Sequence, residues 1–280
     1  MSPAVSTPTG TTALYGLVGD PVAHSLSPAL HHAAFVTLGV DAVSVALRVR
    51  ESGAPLVASA VRDLGVAGLS VTMPLKAAVL GYCDEATDVA RRLGATNCIW
   101  STDAGVRADS TDGEGLLRAI VCATGRSPDG LTCAVLGAGG AARAAIDALS
   151  GAGAAAVLVV ARRGGSAEQA AAEIPRARAA TLSEARDAQI IVQATPVGMD
   201  DTQSATAPAL LDAAELSRGQ VAVDLVYHPR VTRWLAGATA AGATPVQGVE
   251  VLVHQARGAL ERWLRCEVPL DPLHHAAGLP

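Results

Sequence analysis

The 280-residue chain is 50% hydrophobic and 17% charged, a balance that favours an ordered globular protein with a substantial core over a disordered one. Its formal net charge of -5 gives no general attraction to nucleic acid or to an anionic membrane surface. No apolar run is long enough for a transmembrane helix. Residues 1–11 lack the basic start and apolar stretch of a signal peptide, and cysteines 83, 98, 122, 133 and 266 show no CxxC pair and no zinc-ligand spacing. A cytoplasmic protein without a structural metal is expected, with no nucleic-acid or membrane partner.

Strand and helix signals alternate from the start. A strand is predicted over Ala13–Val18, broken by Gly19-Asp20-Pro21, and a helix over Ala29–Leu38 with Ser27 as its cap and Pro28 in its first turn. A strand over Val43–Val49, a helix over Pro55–Leu64 and a strand over Ala67–Val71 follow. Short helices are predicted near Lys76–Leu80 and Asp84–Leu93, then strands over Cys98–Trp100 and Gly105–Ala108, the latter leading to Asp112 at a strand end. A helix over Glu114–Cys122 carries the chain into the stretch LTCAVLGAGGAAR at 131–143.

There an apolar run ends in Gly137, Ala138, Gly139, Gly140 and Ala141. A buried strand, a glycine-rich turn and the start of a helix together bring backbone N–H groups close to a pyrophosphate. A helix over Ala141–Leu149, a strand over Ala156–Val160, a helix over Ser166–Glu173, and strands over Gln189–Val192 and Val221–Leu225 continue the alternation. A helix containing Trp234 and a long helix from Gly248 to Trp263 complete it, and 269–280 reads as a less ordered tail. The expected fold is α/β with two domains. Residues 1–112, completed by 249–280, form an N-terminal α/β substrate domain, and 113–248 a Rossmann-like doubly wound nucleotide domain.

Arg162 and Arg163 stand at the end of the second nucleotide-domain strand, where an NAD site usually carries a carboxylate for the ribose 2′-OH. Two guanidiniums suit a 2′-phosphate, so NADP is the expected cofactor, with solvated arginines as the plainer alternative. Lys76 is the sole lysine among 21 basic residues. Lys76 and Asp112 fit either an acid–base pair for ketone reduction or an interdomain salt bridge. Ser25 and Ser27 offer hydroxyls either to a small carboxylate or to the helix that follows. With Thr72, Asn97, Thr111, Tyr227 and Gln255 they describe a cleft suited to a polyhydroxylated small molecule.

The ordered set HSLSP (24–28), SVTMPLK (70–76), GATN (94–97), DSTDGEG (109–115), GAGGAAR (137–143), QATPVGM (193–199), DLVYHP (224–229) and GVEVLVHQA (248–256) resembles the shikimate dehydrogenase family, including its quinate/shikimate relatives. The resemblance implies reversible NADPH-dependent reduction of 3-dehydroshikimate to shikimate in aromatic amino-acid biosynthesis, by a monomer or homodimer. It implies Lys76 and Asp112 as the catalytic pair, and Ser25 and Ser27, with Tyr227, at the substrate carboxylate. Thr72, Asn97 and Gln255 would hold ring hydroxyls. The 137–142 turn would hold pyrophosphate, Arg162 and Arg163 the adenosine phosphate, and Leu225 and Gly248 the nicotinamide side. Ser70, Ser110 and Gln193 stand where the family commonly has asparagine, Ala161 precedes Arg162 where an NRT-like stretch is usual, and Val251 and Leu260 replace a methionine and a phenylalanine. These departures leave a quinate or aminoshikimate dehydrogenase, or a nonenzymatic NADP-binding sensor, as alternatives.

Overall fold

A computed structural model describes residues 7–199 and 208–279. The chain forms two compact units, dividing between Thr111 and Asp112 and again between His254 and Gln255.

In the first unit the elements run β1 (Ala13–Gly19), α1 (Ser27–Leu38), β2 (Ala42–Arg48), α2 (Ala54–Asp63), β3 (Val66–Val71), α3 (Lys76–Leu80), β4 (Glu85–Ala86), α4 (Asp88–Leu93), β5 (Cys98–Thr102) and β6 (Gly105–Asp109). They build a six-stranded mixed sheet in the order β2-β1-β3-β5-β6-β4. β1 pairs in parallel with β2 and β3, whereas β5 runs antiparallel to β3 and β6. Val57 and Val61 of α2 pack with Val18, Leu69, Val71 and Ile99 in a dry core on one face. On α1, Phe35 meets Tyr15 at a tilt, and Tyr15 stacks in turn on Trp263 from the C-terminal part of the chain.

The second unit contains α5 (Asp112–Thr124), β7 (Thr132–Leu136), α6 (Gly140–Gly151), β8 (Ala156–Val160), α7 (Ser166–Ala171), β9 (Ala177–Ala179), α8 (Leu182–Arg186), β10 (Ile190–Gln193), β11 (Val221–Asp224), α9 (Arg233–Ala240) and β12 (Thr244–Val246). Its sheet is wholly parallel, in the order β12-β11-β10-β7-β8-β9. The first strand of the unit lies at the middle, so successive strands add outward on both sides, the Rossmann arrangement with its topological switch between β7 and β10. Strand alternation sorts the side chains. Cys133, Val135, Val157, Val159, Ile190 and Val192 enter the core on one face with Ile146 and Leu149 of α6, and Ala134, Leu136, Leu158 and Ile191 enter the other with Trp234 and Leu235 of α9. Two further helices end the chain, α10 (Gly248–Leu264) and α11 (Leu270–Ala276).

Several local expectations are corrected. Ser27 does not cap α1: it is the first helical residue, the N-cap position is Leu26, and no side chain caps it. The predicted helix over Asp84–Leu93 splits, because Glu85–Ala86 pairs with β6 and the helix starts only after Thr87, whose hydroxyl accepts from Ala90 N. Asp112 opens α5 instead of closing a strand, β6 having ended at Asp109. The expected tail at 269–280 contains α11, with Val268 and Leu273 fully buried and the helix packed on α1. β9, α8 and β12 were not predicted. β9 and β12 are three residues each and α8 is a single five-residue turn of mostly polar residues, so none carries a hydrophobic run. The 1–6 part of the predicted N-terminal tail lies outside the described residues.

Candidate functional site

In the first unit, chain ends of the sheet gather polar groups. β1 delivers the chain at Gly19, where an added Cβ would lie 2.4 Å from Thr72 Cγ2 and 2.7 Å from Met73 O, so this crossing admits only glycine. Thr72 is fixed beside it by its N–H donating to Val18 O at 2.9 Å. Beyond Gly19, Ser25 Oγ donates to Ser27 Oγ at 3.2 Å and accepts from Ser27 N at 3.2 Å, which sets two hydroxyls side by side at the entry to α1. Lys76 opens α3, half-buried, and its carbonyl accepts from Thr96 N at 2.9 Å.

Asn97 is the hub of this unit. Its Nδ2 donates to Gln255 Oε1 at 2.7 Å and to Thr111 Oγ1 at 2.9 Å, and its Oδ1 accepts from Thr111 N at 2.8 Å. Thr111 Oγ1 also lies 2.9 Å from Gln255 O, to which it donates. These three polar residues, the farthest pair separated by 158 positions in sequence, thus hold one another in buried or half-buried positions. Beneath them Asp109, 4% exposed, accepts from Thr87 Oγ1 at 2.5 Å, from Ser110 N at 2.7 Å and from Arg262 Nε of α10. Its carbonyl takes the Asn97 N–H at 3.1 Å and the Thr96 hydroxyl at 2.7 Å. The Asp109–Arg262 pair therefore ties α10 to the end of β6, whose last carbonyl holds Asn97.

His31 of α1 is fully buried. One ring nitrogen lies 2.8 Å from Ser44 Oγ, the other 3.4 Å from Ser70 Oγ, and the ring meets Trp263 edge-on at 5.0 Å. Burial pushes its pKa down to about 3, so it is neutral. Ser70, one of the departures at a common asparagine position, is thus part of a histidine-centred polar contact inside this unit.

In the second unit, the carboxyl ends of the strands line up: Val160, Leu136, Gln193 and Asp224 are register partners across β8, β7, β10 and β11. The residues immediately beyond this row form the site. Gly137 has a φ of 131°, and an added Cβ would lie 3.0 Å from Ala194 O, so only glycine suits the turn. Gly139 and Gly140 have open space where a Cβ would be, and Ala142 is fully buried against the sheet. A cavity of about 660 Å³ opens here, lined in part by Gly137, Ala138, Gly139, Arg143, Arg162 and Arg163. Among the described residues no carboxylate lines it. The open glycine turn at the start of a twelve-residue helix and the guanidiniums opposite fit a dinucleotide phosphate carrying an extra phosphoryl group.

On the other side of the switch point, Gln193 Oε1 accepts from Thr195 N and Thr195 Oγ1 at 3.2 and 2.8 Å, pinning the loop that borders the cavity. Asp224 is completely buried, and burial raises its pKa to about 6 against the opposing hydrogen bonds from Thr232 Oγ1 and Val226 N. Those bonds shape the 225–232 loop, which carries Leu225 and the half-buried Tyr227. Gly248 starts α10 at a point where an added Cβ would lie 2.5 Å from Val226 O and 2.7 Å from Asp224 O, a close backbone approach.

Of the residues expected at a site, the first unit thus collects Ser25 with Ser27, Thr72 with Gly19, and Asn97 with Gln255, and it also contains Lys76. The second unit collects Gly137, Ala138, Gly139, Arg162 and Arg163 around one cavity, with Gly140 and Ala141 opening α6, and contains Asp112, Leu225, Tyr227 and Gly248. Asp109, Gln193, Thr195 and Arg143 were not singled out as site residues. All four sit inside the quoted motifs DSTDGEG, QATPVGM and GAGGAAR, but only their hydrogen bonds or cavity position distinguish them from neighbours.

A family model described as the shikimate dehydrogenase substrate binding domain matches residues 17–99. A shikimate dehydrogenase (NADP(+)) of Methanopyrus kandleri is 40% identical, over 99% of this chain and 98% of that protein. Among solved structures, a shikimate dehydrogenase in complex with NADP+ superposes with a TM-score of 0.91 at 30% identity, covering 98% of each chain. The shikimate 5-dehydrogenase of Thermus thermophilus, solved with NADP(H) and shikimate, gives a TM-score of 0.86 at 34% identity, covering 95% of this chain and 98% of that one. Likeness at this level over the whole length, with both units included, shows that the chain belongs to the shikimate dehydrogenase family.

Proposed function

We propose that this chain is an NADP-dependent oxidoreductase that interconverts 3-dehydroshikimate and shikimate, a step of aromatic amino-acid biosynthesis. The observation that carries the cofactor half of this reading is the arginine-lined cavity at the Gly137 turn, with no carboxylate among its described lining residues. The substrate half draws on relatives named for that reaction and on the polar hub of Asn97, Thr111 and Gln255.

In this reading the Gly137–Ala141 turn and the α6 N-terminus hold the pyrophosphate, and Arg162 and Arg163 the adenosine 2′-phosphate. Leu225 and Gly248 border the nicotinamide. NADPH supplies, when bound, a hydride for the carbonyl carbon. Lys76 Nζ gives the proton that the carbonyl oxygen takes up, and recovers it in the reverse direction. Asp112 is the second member of the acid–base pair. The hydroxyls of Ser25 and Ser27, with Tyr227, receive the substrate carboxylate, while Thr72, Asn97 and Gln255 bind ring hydroxyls. Asn97 and Gln255 are already oriented by each other and by Thr111, so little rotamer freedom is lost when substrate binds. All five cysteines are free, as suits a reducing compartment such as the cytoplasm.

The test is a steady-state panel pairing shikimate, quinate and aminoshikimate with NADP+ and NAD+. The expected result is the highest kcat/KM for shikimate with NADP+. A higher value for quinate or aminoshikimate would overturn the substrate assignment, and tight NADPH binding without turnover of any substrate would make the chain a binding protein.

A further inference from the structure

The cavity at the Gly137 turn has two walls. One consists of the turn itself with Arg143 of α6; the other is the segment from Ala161 to Ser166 together with Gln169 and Ala170 of α7. Its hydroxyl groups are engaged within the protein: Ser166 Oγ donates to Arg163 O at 2.6 Å, and Thr195 Oγ1 donates to Gln193 Oε1. Ala161, Gly164 and Gly165 offer no polar side chain. Strong side-chain donors therefore come chiefly from three guanidiniums, none of which pairs with a carboxylate among the described residues. Gathering three cations around one space with no acid among its described lining residues is unfavourable until an anion enters it.

Arg143 has a defined direction. Its N–H closes the first turn of α6 by donating to Gly139 O at 2.9 Å, and its neighbours Ala142 and Ala144 are buried against the sheet, so Arg143 lies on the exposed face. Helical side chains lean toward the helix N-terminus. Arg143 lines the same cavity as Arg162 and Arg163, and a side chain leaning that way faces the turn at the helix start.

Resting on the cofactor reading above, we propose that Arg143 is a specificity-determining residue, the third cation of the subsite for the adenosine 2′-phosphate, facing Arg162 and Arg163 from the opposite wall. A phosphate monoester carries a charge of about -1.5 to -2 near neutral pH and three acceptor oxygens. Cations on both sides can engage more of those oxygens than two arginines from one strand end. The pyrophosphate has its own donors in the backbone of the Gly137 turn and the helix start, so Arg143 acts on the group that distinguishes NADP from NAD.

Calorimetric titration of wild type, Arg143→Gln and Arg143→Lys with NADP+, NAD+, 2′,5′-ADP and 5′-AMP tests this. Arg143→Gln is expected to weaken NADP+ and 2′,5′-ADP by about tenfold or more and to change NAD+ and 5′-AMP less than about twofold, the scale of one lost charge-assisted contact. Arg143→Lys is expected to retain part of the affinity and to lose the remainder on 2′-phosphorylated ligands only. Equal weakening of NADP+ and NAD+ would move Arg143 to the pyrophosphate and overturn the proposal, as would unchanged binding of all four ligands. A wild type that binds NAD+ as tightly as NADP+ would instead overturn the cofactor reading itself.

Discussion

Replacing Asp109 by asparagine is expected to destabilise the first unit and disturb its polar hub together. The carboxylate is 4% exposed and accepts from Thr87, Ser110 and Arg262. Asparagine can keep the acceptor that serves Thr87 and Ser110, but it turns an amide N–H toward the Arg262 guanidinium, a donor against a donor. Removing one member of a buried ion pair costs about 3–5 kcal/mol. The Arg262 side chain is 27% exposed and donates also to Gly258 O, so water and that carbonyl recover part of the loss. The expected cost is about 2–4 kcal/mol. Urea unfolding of Asp109→Asn, Arg262→Gln and the double variant measures it. The two single costs should exceed the double cost by at least about 1 kcal/mol, because each removes the same contact. KM for shikimate should rise in Asp109→Asn, since the Asp109 carbonyl holds the Asn97 N–H. Single costs below about 0.5 kcal/mol, or costs that add within that margin, would refute the argument that this pair anchors α10 to the sheet.

Lys76→Ala should lower kcat by about a hundredfold or more while NADPH affinity, read by fluorescence titration, stays within about twofold; comparable turnover at saturating substrate would exclude Lys76 as the proton donor. Gly248→Ala places a methyl against Val226 O and Asp224 O, so it should lower the melting temperature and weaken NADP+ binding, and wild-type values for both would disprove the close approach. His31 binds a proton near pH 6.5 when unfolded but only near pH 3 when folded, so its contribution to stability is lost as pH falls below 6.5. Asp224 acts in the opposite sense, holding its proton up to about pH 6 in the folded chain and favouring the fold as pH falls from 6 toward 3.8. Since the Asp224 effect is common to both proteins, His31→Gln should lose roughly 2 kcal/mol less stability than wild type between pH 7 and pH 5, measured by urea unfolding at each pH. Equal losses would mean that His31 is protonated in the fold.

Local chemistry made much of the architecture legible in the sequence. The near-continuous apolar runs of β7, β8 and β10 and the glycine that follows β7 are properties of neighbouring residues, and they point to a parallel sheet with a glycine turn at its first strand. The Arg162–Arg163 pair needed only its distance from that turn. The three-residue strands β9 and β12 escaped because they exist through pairing with strands elsewhere in the chain, and α8 escaped although its capping box of Thr181 and Glu184 is a local signal. The 269–280 segment was misread because its composition resembles a tail, whereas burial of Val268 and Leu273 orders it. Tertiary structure alone decided that Asn97 meets Gln255, that Asp109 meets Arg262, that His31 sits between Ser44 and Ser70, and that Arg143 shares a cavity with Arg162. Hydrogen bonds and desolvation act between atoms a few ångströms apart whatever their separation along the chain, so these partners become visible only once the fold has brought them together.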